Sequence, residues 1–469
     1  MSFLDDDYLL TTDVAKELFH GTAESLPIVD YHCHLSPREI YEDRNFSDIV
    51  AAWLTDGNNY GDHYKWRLIR ANGTPEELIT GKGDPWDKFQ AYAATMEKAI
   101  GSPVYLWTHM ELRRYFGITE TLTTRSAKAI YDQTNEMLAT KDFTRRSLLR
   151  RMGLDVICTT DDPVDSLEWH RKFNDEGGDT FSMIPAMRPD TAMNPDKAGF
   201  PEWVDRLEQV TGDSISTFDG MMAAIDKRVD FFHSMGSRLS DHAADLMVFA
   251  EATPVELDEI LAKARAGKEL TFDDLAKYRT AFFLDLMKIY DAHDWTMQLH
   301  IHALRNINSV GFAEHGADTG YDALNDRSIA EPLARLFDAA ARRGAIPRTI
   351  IYSLNPEDYM PIATVMGCFQ GGGKKQRMAL GNAWWFNDTR TGIRRQIETM
   401  AEESLLGNFV GMTTDSRSFL SYPRHEFFRR ILCELVGEWA ERGEVPDDVD
   451  YLKPLIADVS YNNAKALFV

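Results

Sequence analysis

A helix, a short loop and an apolar strand with a polar end recur along this 469-residue chain, and no other feature limits its fold as much. From Asp142 a basic amphipathic helix runs to Met152 and Gly153 caps it. Leu154 to Thr160 then reads as a strand ending in Asp161-Asp162-Pro163. The pattern returns as Thr180 to Met187 with Arg188-Pro189-Asp190, Ser237 to Leu239 with Ser240-Asp241-His242, and Thr296 to Leu299 with His300-Ile301-His302. It returns again as Arg348 to Ser353 with Asn355-Pro356, Met378 to Gly381 with Asn382-Ala383-Trp384-Trp385, and Asn408 to Thr413 with Thr414-Asp415-Ser416-Arg417. With the apolar run that opens at Leu26, eight strands are expected. Strands alternating with helices such as Leu275 to Asp291 and Ile329 to Arg343 favour a parallel (β/α)8 barrel, with a doubly wound open sheet as the alternative. In a barrel the polar strand ends gather at one mouth.

The expected layout is one domain over 1–469 with a mainly helical insertion at 38–151, after the first strand. Asp87 to Ile100 and Ser126 to Thr140 carry apolar residues at helical spacing there, and Pro423 to Arg442 reads as the last helix. Gly371-Gly372-Gly373-Lys374-Lys375 lacks the spacing of a phosphate loop and precedes a strand, so it reads as a mobile loop.

The opening run ends in His32-Cys33-His34. In an extended chain both imidazoles point to one side, about 6.5 Å apart, close enough to share one metal ion. Asp30, on the same face, could orient a ligand. Two ordinary histidines near a strand end would look the same. Barrel closure changes the balance, because it places the last strand beside the first and brings Asp415 to the pair. Two histidines and a carboxylate hold a divalent ion with positions left open. Arg188 and Arg417 suit an acidic substrate, since a guanidinium grips a carboxylate through two parallel hydrogen bonds.

A formal net charge of -23 disfavours nucleic acid and anionic membrane as partners. Four scattered cysteines suggest reduced thiols rather than a disulfide framework. The acidic start and the absence of an apolar run of spanning length make the cytoplasm the expected setting.

Four motifs in order resemble the uronate isomerase (glucuronate isomerase) family of the amidohydrolase superfamily. They are Asp-Tyr-His-Cys-His-Leu-Ser-Pro at 30–37, Ala-Met-Arg-Pro-Asp at 186–190, Gly-Asn-Ala-Trp-Trp-Phe-Asn-Asp at 381–388 and Thr-Asp-Ser-Arg-Ser-Phe at 414–419. The resemblance implies a distorted barrel and an aldose-ketose isomerase that converts D-glucuronate to D-fructuronate and D-galacturonate to D-tagaturonate. It also implies one divalent metal, zinc, on His32, His34 and Asp415, with His300 close by. His63, Tyr64, Arg188, Trp384 or Trp385, and Arg417 match the family's substrate-site positions, although His63 and Tyr64 taken alone read as surface packing. The second-metal ligands of binuclear relatives, a lysine after the fourth strand and a histidine after the sixth, are missing.

Isomerisation moves a proton from C2 to C1 through an enediolate. The proton carriers expected are Asp415 and the His63/Tyr64 pair, and the base among them stays open. The rival is a mononuclear metal-dependent hydrolase of a lactone, amide or ester that carries a carboxylate. A small sugar acid is the expected partner, and the insertion's outer face suits a homo-oligomer.

Overall fold

In the computed structural model, which describes residues 3–55 and 61–468, the chain builds a curled parallel sheet covered by helices. The strands are β1 (Ile28–Asp30), β2 (Leu154–Asp161), β3 (Ser182–Met187), β4 (Leu239–Ala244), β5 (Thr296–Ile301), β6 (Ala303–Leu304), β7 (Ala323–Leu324), β8 (Arg348–Ser353) and β9 (Met378–Leu380). Seven of them lie in the order β1-β2-β3-β4-β5-β8-β9, all parallel, while β6 and β7 form a separate antiparallel ribbon. Residues 56–60 of the expected insertion lie outside the described residues.

The eighth expected strand, at 408–413, is not formed. A 3₁₀ turn over Leu406–Asn408 gives way to extended chain, and Gly411 bends it with φ +73°. A Cβ at Gly411 would stand 2.2 Å from the Val459 carbonyl oxygen, so the backbone follows the C-terminal segment here instead of a ladder. The segment still spans the gap to the first strand. Asp415 N–H donates to the His32 carbonyl at 3.1 Å, and His34 N–H to that of Ser416 at 2.9 Å.

The opening strand is also shorter than expected. It stops at Asp30, so His32 and His34 lie just beyond it, held by those bonds and by Cys33 N–H to the Cys158 carbonyl at 3.1 Å. Conversely, β4 and β5 run further than expected and take in Asp241, His242 and His300.

The helices fall close to their expected positions, including Pro85–Met96, Ala127–Leu138, Phe272–Ala292, Ala330–Arg342 and Pro423–Glu441. Their apolar stripes pack on the outer face of the sheet, where Trp203, Phe232, Leu286 and Leu432 are fully buried or nearly so. Inside the curl a smaller core joins Val29, Tyr31, Val156, Cys158, Ile184 and Tyr352, and Phe468 stacks on Tyr31 at 4.6 Å to close its base. The glycine run at 371–373 is an anchored turn rather than a loose loop. All three glycines are left-handed, and Lys374 pairs with Asp291 and Asp294 at 3.0 Å. All four cysteines are free, and no described helix is long and apolar enough to cross a membrane.

Candidate active site

A cavity of about 300 Å³ opens where β1, β3, β5 and the 409–417 segment end, and the helical insertion roofs it. Its size suits a small polar molecule. His32, His34, His63, Tyr64, Arg188, His300, Trp384, Trp385, Asp415 and Arg417 all line it, so these ten residues singled out from sequence meet in one place.

Asp415 is the centre of the arrangement. Its Oδ1 lies 3.0 Å from His32 Nε2 and 3.1 Å from His34 Nε2, while Oδ2 accepts the Trp384 indole N–H at 2.6 Å. Its backbone is left-handed at φ +47°, a conformation that costs free energy outside glycine and is retained where the surroundings enforce it. Burial pushes its carboxyl up, but hydrogen bonds from His32 and His34 hold it well below the usual carboxylate range. Asp30 does not touch a histidine. It accepts the backbone N–H of Thr414 at 2.8 Å and the Thr414 hydroxyl, and so sets the course of the chain that carries Asp415.

The histidine rings are also held from behind. The Thr160 hydroxyl donates to the Cys33 carbonyl and its oxygen lies 3.1 Å from His34 Nδ1, which turns Nε2 of that ring to Asp415. His300 Nδ1 bonds Asp241 Oδ1 at 2.6 Å, and its buried Nε2 has no hydrogen-bond partner. His32, His34 and Asp415 offer three ligand atoms within 4.8 Å of one another, and the neutral-imidazole and carboxylate donor set fits a divalent ion. A second group, His32, Asp241 and His300, shares His32 with the first. Arg188 Nη1 stands 3.2 Å from Asp241 Oδ2, so a cation already neutralises that carboxylate.

His63 and Tyr64 arrive on the insertion helix His63–Ala71, whose N-cap Asp62 accepts the backbone N–H groups of Tyr64 and Lys65 at 3.0 and 3.2 Å. The cap places both rings over the cavity, stacked at 4.6 Å, with His63 edge-on to Trp385 at 4.9 Å. Burial, reinforced by Arg417, pulls His63 down to about 4, so its imidazole is neutral near pH 7. Burial and then the Asp415 charge push the Tyr64 phenol well above its ordinary value. Beneath them Arg424 pairs with Asp388 in the interior and lies 4.5 Å over the Trp107 ring, which supports Tyr64 from behind.

A glucuronate isomerase family model matches residues 1–468. The chain belongs to the glucuronate isomerase family. A uronate isomerase from Caldanaerobacter subterraneus subsp. tengcongensis is 48% identical over 463 residues, covering 99% of this chain and 98% of that protein. The crystal structure of uronate isomerase from Thermotoga maritima aligns over 100% of both chains with TM-score 0.93 at 35% identity. That of glucuronate isomerase from Caulobacter crescentus aligns over 99% of this chain and 97% of that one, with TM-score 0.90 at 25% identity.

Within this glucuronate isomerase family member, two histidines at the polar strand ends, whose facing the sequence left open, lie away from the cavity. His302 is fully buried with Nδ1 2.7 Å from Asp358, because its own φ of +69° turns it out of the strand's alternation. His242 faces away from the site and bonds the Gln298 carbonyl and the Tyr290 hydroxyl. Three groups carry no role in the sequence reading: Asp241, Thr160 and the acid Asp318 beside Arg417. Only the first two had a signal, a polar residue inside or at the end of an apolar strand.

Proposed function

We propose that this chain interconverts D-glucuronate and D-fructuronate, and D-galacturonate and D-tagaturonate, by moving a proton between C2 and C1. The observation that carries the reading is the meeting of Asp415, two histidines, Tyr64 and two arginines around one small cavity in a member of this family. His32, His34 and Asp415 would hold one divalent ion, with zinc the ion that the family resemblance implies and one that imidazole nitrogens suit. When bound, the ion supplies fixed positive charge that polarises a coordinated oxygen.

The protein's own groups divide the remaining work. Arg188, held by Asp190 at 2.6 Å and by Asp241, keeps the rest of its guanidinium for the substrate's carboxylate or an adjacent oxygen. As the proton leaves C2, negative charge spreads over the C1 and C2 oxygens, and Arg417, which lines the cavity, would stabilise it. Tyr64 retains its proton in the free protein, so it donates to one of those oxygens. The ionised Asp415 and the neutral His63 are the acceptors available. The C2 proton, taken by one of them, returns to C1; the C2 hydroxyl gives up its proton as it becomes the carbonyl, and that proton replaces the one Tyr64 has delivered to the C1 oxygen, which becomes the hydroxyl, so mass is conserved. His300 and the two tryptophans wall the site and limit water.

The sheet is read as a distorted (β/α)8 barrel in which 409–416 takes the eighth position. A homo-oligomer using the insertion's outer face, in a cytoplasm that suits four free thiols, completes the proposal. The test is to incubate glucuronate with the protein in deuterium oxide and follow C1 and C2 by NMR. Ketose with deuterium at the exchanging carbon is expected. No ketose, with or without added zinc, overturns the reading.

A further inference from the structure

Residues 302–329, between β5 and the helix Ala330–Arg342, form an excursion with its own architecture. The β6–β7 ribbon closes its neck, with Asn325 N–H bonded to the His302 carbonyl at 2.9 Å. Its tip is fastened to the insertion helix that carries His63 and Tyr64. Arg67 donates to the Asp322 carbonyl at 3.0 Å and Arg70 to that of Thr319 at 3.1 Å, with the Arg70 guanidinium 4.6 Å over Tyr321. Gly320 sits at φ +95°, and a Cβ there would come within 2.9 Å of Arg67 Cγ, so the contact requires glycine.

This fastening delivers one acid to the cavity. Asp318, itself left-handed at φ +58°, accepts from Arg417 Nη2 at 2.8 Å, and its other oxygen lies 3.6 Å from Arg305 Nη1. Arg305 lies over Trp385 at 5.1 Å, and all four side chains line the cavity. Arg417 is a long side chain on a segment without ladder bonds beyond Ser416, and one occupied nitrogen limits its rotamers while leaving its other donors for the ligand. An acid placed against an arginine in a site for acids weakens plain charge attraction. It makes sense where the direction of the guanidinium matters more than its field.

We propose that Asp318 is a positioning residue that aims Arg417 at the charge developing on the substrate, and that the 302–329 excursion is the part of the fold that brings it there. The inference rests on the isomerase reading above. Preorganised donors act mainly on the transition state, and a misdirected one costs far more in turnover than in ground-state binding.

The test uses full-length protein loaded with zinc. Asp318→Ala should lower kcat by roughly 10- to 100-fold with KM changed about threefold or less, and Asp318→Glu should recover part of the loss. The metal content of Asp318→Ala, measured by atomic absorption, should match wild type, which separates misaiming from collapse of the site. Gly320→Ala, with every charge intact, should reproduce the fall in kcat. Binding of a six-carbon sugar diacid that cannot isomerise, followed by calorimetry in the single and double variants, completes a cycle. Any effect of Asp318→Ala on its affinity should vanish in the Arg417→Ala background. Turnover of Asp318→Ala within about twofold of wild type, or an equal loss of diacid affinity with and without Arg417, overturns the inference. If Asp318→Ala does not fold, Asp318→Asn and Gly320→Ala decide by the same limits. Wild-type protein that makes no ketose would instead sink the isomerase reading.

Discussion

Trp384 donates its indole N–H to Oδ2 of Asp415 at 2.6 Å, leaving only Oδ1 to face His32 and His34. The tryptophan therefore decides which oxygen of the carboxylate is offered to the centre. Groups behind metal ligands commonly change metal affinity or activity by about 10- to 100-fold. Trp384→Phe, which keeps the ring packing and removes the donor, should weaken zinc binding in chelator competition by about 10-fold.

Tyr64 and Asp415 are separated by their protonation. Tyr64→Phe removes a donor and should lower kcat by about 100-fold or more, with the C2 proton still exchanging slowly with solvent deuterium. Asp415→Asn should abolish that exchange and also lose metal, because it removes both an anion and a ligand. Full turnover by Tyr64→Phe would exclude the phenol from the chemistry.

Asp241 is completely buried between His300 and Arg188. Asp241→Asn keeps the shape and removes the charge that holds Arg188 in place. A roughly 10-fold rise in KM is expected, together with a loss of about 1–3 kcal/mol in stability from the imperfectly paired guanidinium. Urea unfolding and steady-state kinetics read the two effects separately.

Away from the site, the Thr159 hydroxyl lies 2.8 Å from both Asp161 and His170 in the interior. Burial pushes Asp161 up to about 8 and pulls His170 down to about 3, so both are neutral at intermediate pH. The native state then binds more protons at Asp161 than the unfolded chain does. Stability from that residue is present below about pH 4 and is lost as pH rises towards 8. His170 has the opposite sign: its stabilisation is present above about pH 6.5 and is lost as pH falls towards 3. Asp161→Asn should flatten the alkaline side of a Tm-against-pH curve and raise Tm at about pH 8. A curve that overlays wild type would contradict this assignment.

What could be read in the sequence depended on period and order. His32 and His34 share a parity, Asp415 ends the last apolar run, and the bonds between the 414–416 segment and the chain just past β1 do the rest, so the candidate metal group was legible across the chain. Asp241 was not, because strand ends are uncertain by two or three residues and a shift of one turns a side chain to the other face. His302 shows the reverse error: it has the parity of His300, but a left-handed backbone breaks the alternation. Asp318 lies in an excursion with no period at all, and only the contacts of Arg67, Arg70 and Gly320 bring it to Arg417. The missing eighth strand has a similar cause, since the contact of Gly411 with Val459 is not encoded in hydrophobic spacing.

His32 and Asp415 meet across 383 positions, through the segment that spans the gap between the two ends of the curled sheet. During synthesis the first histidines leave the ribosome long before their carboxylate partner exists. Until that last segment docks, the nascent chain lacks the carboxylate that joins His32 and His34. On the proposed reading, the three-ligand site is therefore completed only at the end of folding, when its geometry is already set.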